Sequence, residues 1–283
     1  MALTPSHIPE GALQAAREAA IEAGRIALGY FRHGGTTRAG ISYKEGGSPV
    51  TEADLAVDAF LKARLMGLAP GFGWLSEETA DDPSRLGRRH VWVVDPIDGT
   101  RSFARGDTDW TVALGVVEDG VAVAGFVYAP VAEVMYEALP GGPALKNGVE
   151  IRASGLDTVE NARIAGPGPM LDAMQAARTP FRRMPRIHSL AYRLVHVADS
   201  SIDGALAGGR AHDWDLAAAH AIVTAAGAEI VTATGATPRY NRPSTMHEAL
   251  VVASSGLASE LAGMIANGAL SQAAGHKDAI AGL

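Results

Sequence analysis

No cysteine occurs in this 283-residue chain. That absence excludes disulfides, thiolate zinc sites and a cysteine nucleophile together, and it fits a reducing compartment. Basic side chains are also in deficit: 24 Lys and Arg stand against 31 Asp and Glu, a formal charge of −7. A general nucleic-acid binder needs basic groups to displace phosphate counterions, so that class is set aside. No apolar run approaches the ~18 residues that cross a bilayer. The opening MALTPSHIPEGALQ lacks the basic stretch and following apolar stretch of a secretory signal. These absences lead to the expectation of a soluble, cytoplasmic protein with no membrane partner. What is present is an ordinary globular composition, 47% hydrophobic and 19% charged, with enough apolar side chain for a sizeable core and too much for disorder. The length allows one large domain or two moderate ones.

Hydrophobic spacing predicts a helix over 11–31, where Ala15, Ala19, Ile26, Leu28 and Phe31 recur near the helical period. Residues 32–50 read as loop. Thr51 and Asp54 form a capping-box-like pair that opens a helix running to about Met66, and Ala69-Pro70-Gly71 ends that region. Val91 to Val94, short and β-branched, predicts a buried strand stopped at Asp95-Pro96. Two strands fill 110–128 around the Asp119-Gly120 hairpin signal, a third covers Val131 to Ala138, and a small hairpin is expected around Asn147-Gly148. Beyond the break at Pro140-Gly141-Gly142-Pro143 the rhythm changes. Strands at 159–165, 202–206, 228–232 and 249–253 mix with helices at 168–178, 189–198, 214–226 and 256–266, with Gly227 as a C′ residue. The Gly- and Ala-rich last dozen residues read as fraying. This order predicts layered α/β (α+β) architecture in two halves, an N-terminal α+β half over 1–150 and a C-terminal α/β half over 151–283. Trp92, Trp110 and Trp214 read as core aromatics and His220 as a core or interface residue; His196 and His247 have no identifiable partner.

Three acidic segments carry chemical potential: Leu75-Ser76-Glu77-Glu78, Asp95-Pro96-Ile97-Asp98-Gly99-Thr100, and His212-Asp213-Trp214-Asp215. Taken singly, each has an ordinary reading: a solvated pair, a turn after a strand, a first-turn acid favoured by the helix dipole. The middle segment offers more. Pro96 cannot continue a ladder, a turn there brings Asp98 back beside Asp95, and Thr100 can open a helix whose free N–H groups face an anion. If Glu77, Asp95, Asp98 and Asp215 converge, like charges ~4 Å apart repel by roughly 4 kcal/mol per pair at an effective dielectric of about 20. Such a cluster protonates in part or binds cations. Oxygen-only ligands favour Mg²⁺, Mn²⁺ or Ca²⁺, and two or more Mg²⁺ ions are a common device for phosphoryl transfer.

The combination of LSEE at 75–78, DPIDGT at 95–100 and WDLAA at 214–218, with SPVTEAD at 48–54, resembles the inositol monophosphatase superfamily over roughly residues 11–255. The resemblance implies an αβαβα sandwich of the sugar-phosphatase type, a lithium-sensitive phosphomonoesterase and a homodimer. It implies Glu77, Asp95 and the carbonyl of Ile97 as ligands of one metal. Asp95, Asp98 and Asp215 are implied for a second, and Glu77 for a third, so that two or three Mg²⁺ ions are expected, with Mn²⁺ or Ca²⁺ able to substitute. Thr100 is implied as the hydroxyl orienting the attacking water, with Asp54 its acidic partner. The Gly99 and Thr100 N–H groups would hold the phosphate, and Glu78 would stand behind the ligands. Metal-activated water would attack a small phosphorylated metabolite such as inositol monophosphate directly, without a covalent enzyme intermediate; the alternatives are a 3′(2′),5′-bisphosphate nucleotidase or a histidinol-phosphate phosphatase.

Substrate choice is less legible. Inositol-specific members place a Glu seven residues before the WD aspartate, where this chain has Gly208. SPVTEAD and LSEE lean toward members hydrolysing 3′-phosphoadenosine 5′-phosphate, whereas DPIDGTRSF leans toward inositol or histidinol phosphate members. Arg186, His188, Ser189 and Ala191 fall where family members line the substrate pocket, and Arg210 is a second candidate for an anionic substrate. A non-catalytic regulatory role is the alternative from another class; the acidic balance and the complete ligand set stand against it.

Overall fold

The computed structural model describes residues 8–44 and 47–267; the C-terminal stretch expected to fray lies outside them. The chain opens with α1 (Ala12–Tyr30), β1 (Ile41–Tyr43), β2 (Pro49–Thr51) and α2 (Glu52–Leu68), followed by β3 (Gly73–Ser76) and, after a 3-10 turn at Pro83–Gly87, β4 (His90–Asp98). Next come α3 (Thr100–Arg105), β5 (Thr111–Glu118), β6 (Val121–Ala129), β7 (Val134–Ala138), β8 (Ala144–Lys146) and β9 (Val149–Glu150). The remainder comprises β10 (Arg163–Ala165), α4 (Gly168–Ala176), β11 (Arg182–Arg183), α5 (Leu190–Ala198), β12 (Gly204–Ala207), α6 (Asp213–Ala225), β13 (Glu229–Thr232), β14 (Leu250–Ala253) and α7 (Ser255–Ala266).

Strands β3 to β9 form a seven-stranded sheet in sequence order, with β3–β4 parallel and every other pairing antiparallel. A five-stranded sheet runs β11-β10-β12-β14-β13. Alternation along β4 and β5 explains how the large sheet is covered. Trp92, Val94, Val112, Leu114 and Val116 face α1 and α2, while Val91, Val93, Ala113 and Val117 face α5 and α6. Helices α5 and α6 also cover the inner face of the small sheet, whose outer face packs on α4 and α7. The result is five layers, αβαβα, as the family resemblance implies.

Three local expectations are corrected. Residues 32–50 are not all loop, because 41–43 and 49–51 pair as an antiparallel ribbon. The strand begun at Val91 does not stop at Asp95-Pro96 but continues through Asp98. Its register on β5 slips between Asp95 and Asp98, with Asp95 opposite Ala113 and Asp98 opposite Thr111. This bulge is where a strand tolerates a proline, since the ladder is already interrupted there. Trp214 is only partly buried and stacks on His212 at a centroid distance of 4.6 Å, unlike the core residues Trp92 and Trp110.

Helix α6 sits unusually close to the large sheet because the contact surfaces are small. A Cβ at Gly115 would stand 3.0 Å from Ala217 Cβ, and one at Gly125 would collide with the carbonyl oxygen of Ala218. The alanine run after Asp215 therefore seats the helix on two glycines, which brings its first turn down to the end of β4. Gly125→Ala is expected to lift α6 and cost about 2–4 kcal/mol, more than Gly115→Ala, where contact is less severe. Thermal unfolding of both variants checks the order.

Candidate metal centre and cleft

Residues three apart on a regular strand point to opposite faces. The extra residue in the β4 bulge restores Asp98 to the face that carries Val91, Val93 and Asp95. That face meets the start of α6, and one carboxylate oxygen from each of Asp95, Asp98 and Asp215 lies within 4.8 Å of the others. Asp95 is 1% exposed, and its Oδ1 is buried with no hydrogen-bond partner among the described residues. Asp98 Oδ2 accepts from Ser189 Oγ and from the Ala191 N–H, both at 2.6 Å. Asp215 Oδ2 accepts from the His212 N–H at 2.6 Å as part of a capping box. Each carboxylate is thus fixed by one side or by burial and presents oxygen to a common point.

The electrostatics of this arrangement are unfavourable without a cation. Burial, then Glu77, Asp98 and Asp215, push the Asp95 carboxyl well above the usual carboxylate range. Burial and Asp98 do the same to Asp215. Asp98 is pushed up to about 6 by burial, against the opposing hydrogen bonds from Ser189 and Ala191. A buried carboxylate oxygen without a donor, among three carboxylates on one point, fits a hard divalent ion and an all-oxygen shell.

Glu77 lines the same cleft but stands outside this triangle. Its Oε1 is paired with Lys44 Nζ at 2.9 Å, and Lys44 also pairs with Glu78 Oε1 at 2.8 Å. Burial pushes Glu78 up to about 7 despite that lysine. Lys44 was invisible in a Gly-rich stretch with no periodicity; its one signal is a lone cation shortly before SPVTEAD. Helix α2 positions two parts of the centre at once. Asp58 accepts from Ser76 Oγ and Thr79 Oγ1, both at 2.5 Å, bracing the turn that carries Glu77. Asp54, one turn earlier, closes the Thr51 capping box and also lies 3.2 Å from Thr100 Oγ1. Burial pushes Asp54 up to about 6 against the donors from Thr51. Thr100 Oγ1 also reaches the Ile97 carbonyl oxygen at 3.0 Å. Gly99 precedes it at φ 95°, a conformation that favours glycine, and a Cβ there would press on Asp109 O at 3.0 Å.

The remaining residues from the sequence divide into two groups. Ser189 and Ala191 are wholly buried behind Asp98, where they orient a carboxylate and do not face the cleft. Arg186 and Arg210 are exposed at its rim. Arg186 borders the cleft of about 230 Å³ that holds Glu77, Asp95, Asp98, Thr100 and Asp215. Arg210 borders an adjoining pocket of about 370 Å³ that also contains Gly208. His188 lines both and is fixed by Asp109, with Nδ1 2.8 Å from Oδ2. His247 binds Asp213 at 2.7 Å and buried His220 meets Tyr240 Oη at 2.7 Å, whereas His196 Nδ1 has no hydrogen-bond partner among the described residues and lies 3.7 Å from Asp199.

A profile described as the inositol monophosphatase family matches residues 9–272. The chain belongs to the inositol monophosphatase family, a family of phosphoric monoester hydrolases. It is 32% identical over 210 residues to the 3′(2′),5′-bisphosphate nucleotidase CysQ of Salmonella typhimurium, covering 70% of this chain and 81% of that protein. It is 33% identical over 205 residues to the inositol-1-monophosphatase ImpA of Mycolicibacterium smegmatis, covering 68% and 73%. The solved structure of an IMPase from Thermotoga maritima superposes with a TM-score of 0.79 at 21% identity, covering 92% of this chain and 98% of that one; this likeness concerns the fold. Among the described residues, no helix is long and apolar enough to cross a membrane.

The raised carboxyls of this family member give a signed pH expectation. Asp54, Glu78 and Asp98 hold protons more tightly folded than unfolded. Their contribution to metal-free stability is therefore full below about pH 4 and lost as pH rises through about 6 to 7. Ion binding needs the deprotonated oxygens and strengthens over the same interval. The Mg²⁺-induced rise in Tm should be small at pH 5 and about 5 °C or more at pH 7.5 with Mg²⁺ at about 100 times its Kd. His220, pushed down to about 4 by burial, titrates in the opposite sense but is common to both arms and cancels in the difference. Thermal scans with Mg²⁺ or a chelator measure it.

Proposed function

We propose that the protein hydrolyses a small phosphorylated metabolite, a phosphomonoester, in a reaction that requires Mg²⁺. The observation that carries this reading is the triangle of buried Asp95 and Asp98 with half-buried Asp215, with an orphan oxygen on Asp95, in an arginine-rimmed cleft. Asp95, Asp98, Asp215 and the Ile97 carbonyl would hold the ions, with Glu77 as a further ligand once Lys44 yields its Oε1. Bound there, Mg²⁺ would supply an activated water and offset the charge of the phosphoryl oxygens. Mn²⁺ or Ca²⁺ suits the same donors.

The chain's own residues do the rest. Thr100, hydrogen-bonded to Asp54, directs an oxygen lone pair toward a water at the cleft floor. Asp54, its pKa near 6, accepts a proton relayed through that hydroxyl near neutral pH. The Gly99 and Thr100 amides and Arg186 bind and orient phosphoryl oxygens, holding the ester in line. Family resemblance adds a homodimer to this reading, and the cytoplasmic location expected from the sequence goes with it.

Two substrate classes appear in the names of the relatives, and one observation favours the bisphosphate nucleotide over the inositol phosphate. A polyol needs a polar partner for each hydroxyl. The pocket beside the triangle is walled by Pro167, Met170, Leu190, Gly208 and Gly209, and apart from the two aspartates only His188 and Arg210 bring polar side chains. That lining suits a flat apolar ring with a second anionic group on Arg210. Phosphate release from inositol 1-phosphate, 3′-phosphoadenosine 5′-phosphate, histidinol phosphate and fructose 1,6-bisphosphate, with and without Mg²⁺, tests the reading. The bisphosphate nucleotide should show the highest kcat/KM, and no substrate should turn over without Mg²⁺.

Three substitutions sharpen it. Asp95→Asn should lower Mg²⁺-dependent turnover by about 100-fold or more, and Thr100→Ala by about 100-fold with little change in KM. Arg210→Ala should raise KM for the bisphosphate by about tenfold while changing KM for inositol 1-phosphate far less.

A further inference from the structure

Asp215 lies in the first turn of a helix whose start is not free. The segment 241–247 closes over it. The Asp213 N–H donates to Thr245 O at 2.9 Å and the His247 N–H to Ala211 O at 2.7 Å. The His212 ring Nδ1 lies 2.8 Å from Thr245 Oγ1. The Asp213 carboxyl is 0% exposed and has one partner on each oxygen: His247 Nε2 on Oδ1 at 2.7 Å and the Asn241 N–H on Oδ2 at 2.8 Å. A carboxylate only accepts, so His247 carries its proton on Nε2.

Asn241 stands at φ 52°, in the left-handed region that asparagine tolerates. Its side chain faces away from Asp213: Oδ1 accepts from Arg85 Nη1 at 2.8 Å, and Nδ2 donates to Arg85 O at 3.0 Å. Arg85 is buried in the 3-10 turn that follows the Glu77 arm and is further held by Asp81 at 2.6 Å. One chain of polar contacts therefore runs from the 3-10 turn at Pro83–Gly87 to the helix that carries Asp215. Arg85, Asn241, Asp213 and His247 do not line the cleft.

We propose that this clasp sets the seat of α6 against the β4 bulge, with His247 as a positioning residue acting through Asp213, so that capture of the divalent ion depends on it and capture of the substrate does not. The proposal rests on reading the aspartate triangle as an ion site. Its physical basis is that Asp215 commits Oδ2 to the His212 N–H, so the aim of its remaining oxygen follows the helix start, and the helix start follows Asp213. Partners behind a ligand commonly govern metal affinity in this way.

The test uses three variants of the full chain. His247→Gln places an amide nitrogen where Nε2 stands. His247→Asn, one methylene shorter, cannot reach Asp213. Asn241→Gly keeps the left-handed backbone and its N–H to Asp213 but removes the link to Arg85. Calorimetric titration with Mg²⁺ alone should show a Kd about 10- to 100-fold weaker in His247→Asn, within about threefold of wild type in His247→Gln, and between the two in Asn241→Gly. KM for the phosphomonoester at saturating Mg²⁺ should be unchanged in all three. Wild-type Mg²⁺ affinity in His247→Asn, equal loss in the Gln and Asn variants, or a raised KM with intact Mg²⁺ affinity would each overturn the proposal. If circular dichroism shows His247→Asn unfolded, Asn241→Gly decides, and wild-type affinity in it counts against the clasp. A wild-type protein that takes up no Mg²⁺ defeats the phosphatase reading itself, a result distinct from any of these.

Discussion

Like charges held in a buried pocket govern the rest of this molecule. Three aspartates from two distant parts of the chain aim oxygens at one point, and among the described residues no donor reaches Asp95 Oδ1. A globular core carries such a cluster only when it is partly protonated or a cation completes it. The surrounding structure can be understood as what is needed to keep those oxygens together: a bulge that turns Asp98 inward, glycines that let α6 approach, and donors from Ser189, Ala191 and His212 that fix the free sides of the carboxylates.

The layered fold serves that requirement. The large sheet presents its α6-facing surface at the end of β4, and the small sheet holds α6 from the opposite side through a shared apolar core. Neither sheet alone could place Asp215. Small residues seat the helix on the large sheet and the buried Asp213 ties down its first turn, so these protein contacts are in place before any ion arrives. Preorganisation of this kind lowers the cost of assembling a charged site at the moment of binding.

Much of the framework was legible in the sequence, for physical reasons that differ by element. Long amphipathic or alanine-rich helices and the Asp119-Gly120 and Asn147-Gly148 hairpins declare themselves through periodicity and turn chemistry. The bulge did not, because Pro96 reads as the end of a strand, and only the pairing with β5 shows the strand resuming at Asp98. Strand β3 is four residues long, too short for alternation to register. At the site, residues inside one motif can be related by spacing, as Asp95 and Asp98 are. Asp54 read as the second half of a capping box with Thr51 and is that, yet it also meets Thr100 46 positions away. Lys44 on Glu77 and His247 on Asp213 join segments more than 30 residues apart, and no local pattern encodes such contacts. The meeting of Asp215 with Asp95 was accessible only through resemblance.

The central claim, that the aspartate triangle is a divalent-cation site, is tested most directly by diffraction from crystals soaked in Mn²⁺, with data collected at the manganese edge. The account predicts an anomalous peak bonded to oxygens of Asp95, Asp98 and Asp215, with a carboxylate oxygen of Asp95 as a ligand. A map with no peak there at millimolar Mn²⁺, the three carboxylates keeping their positions, would contradict it.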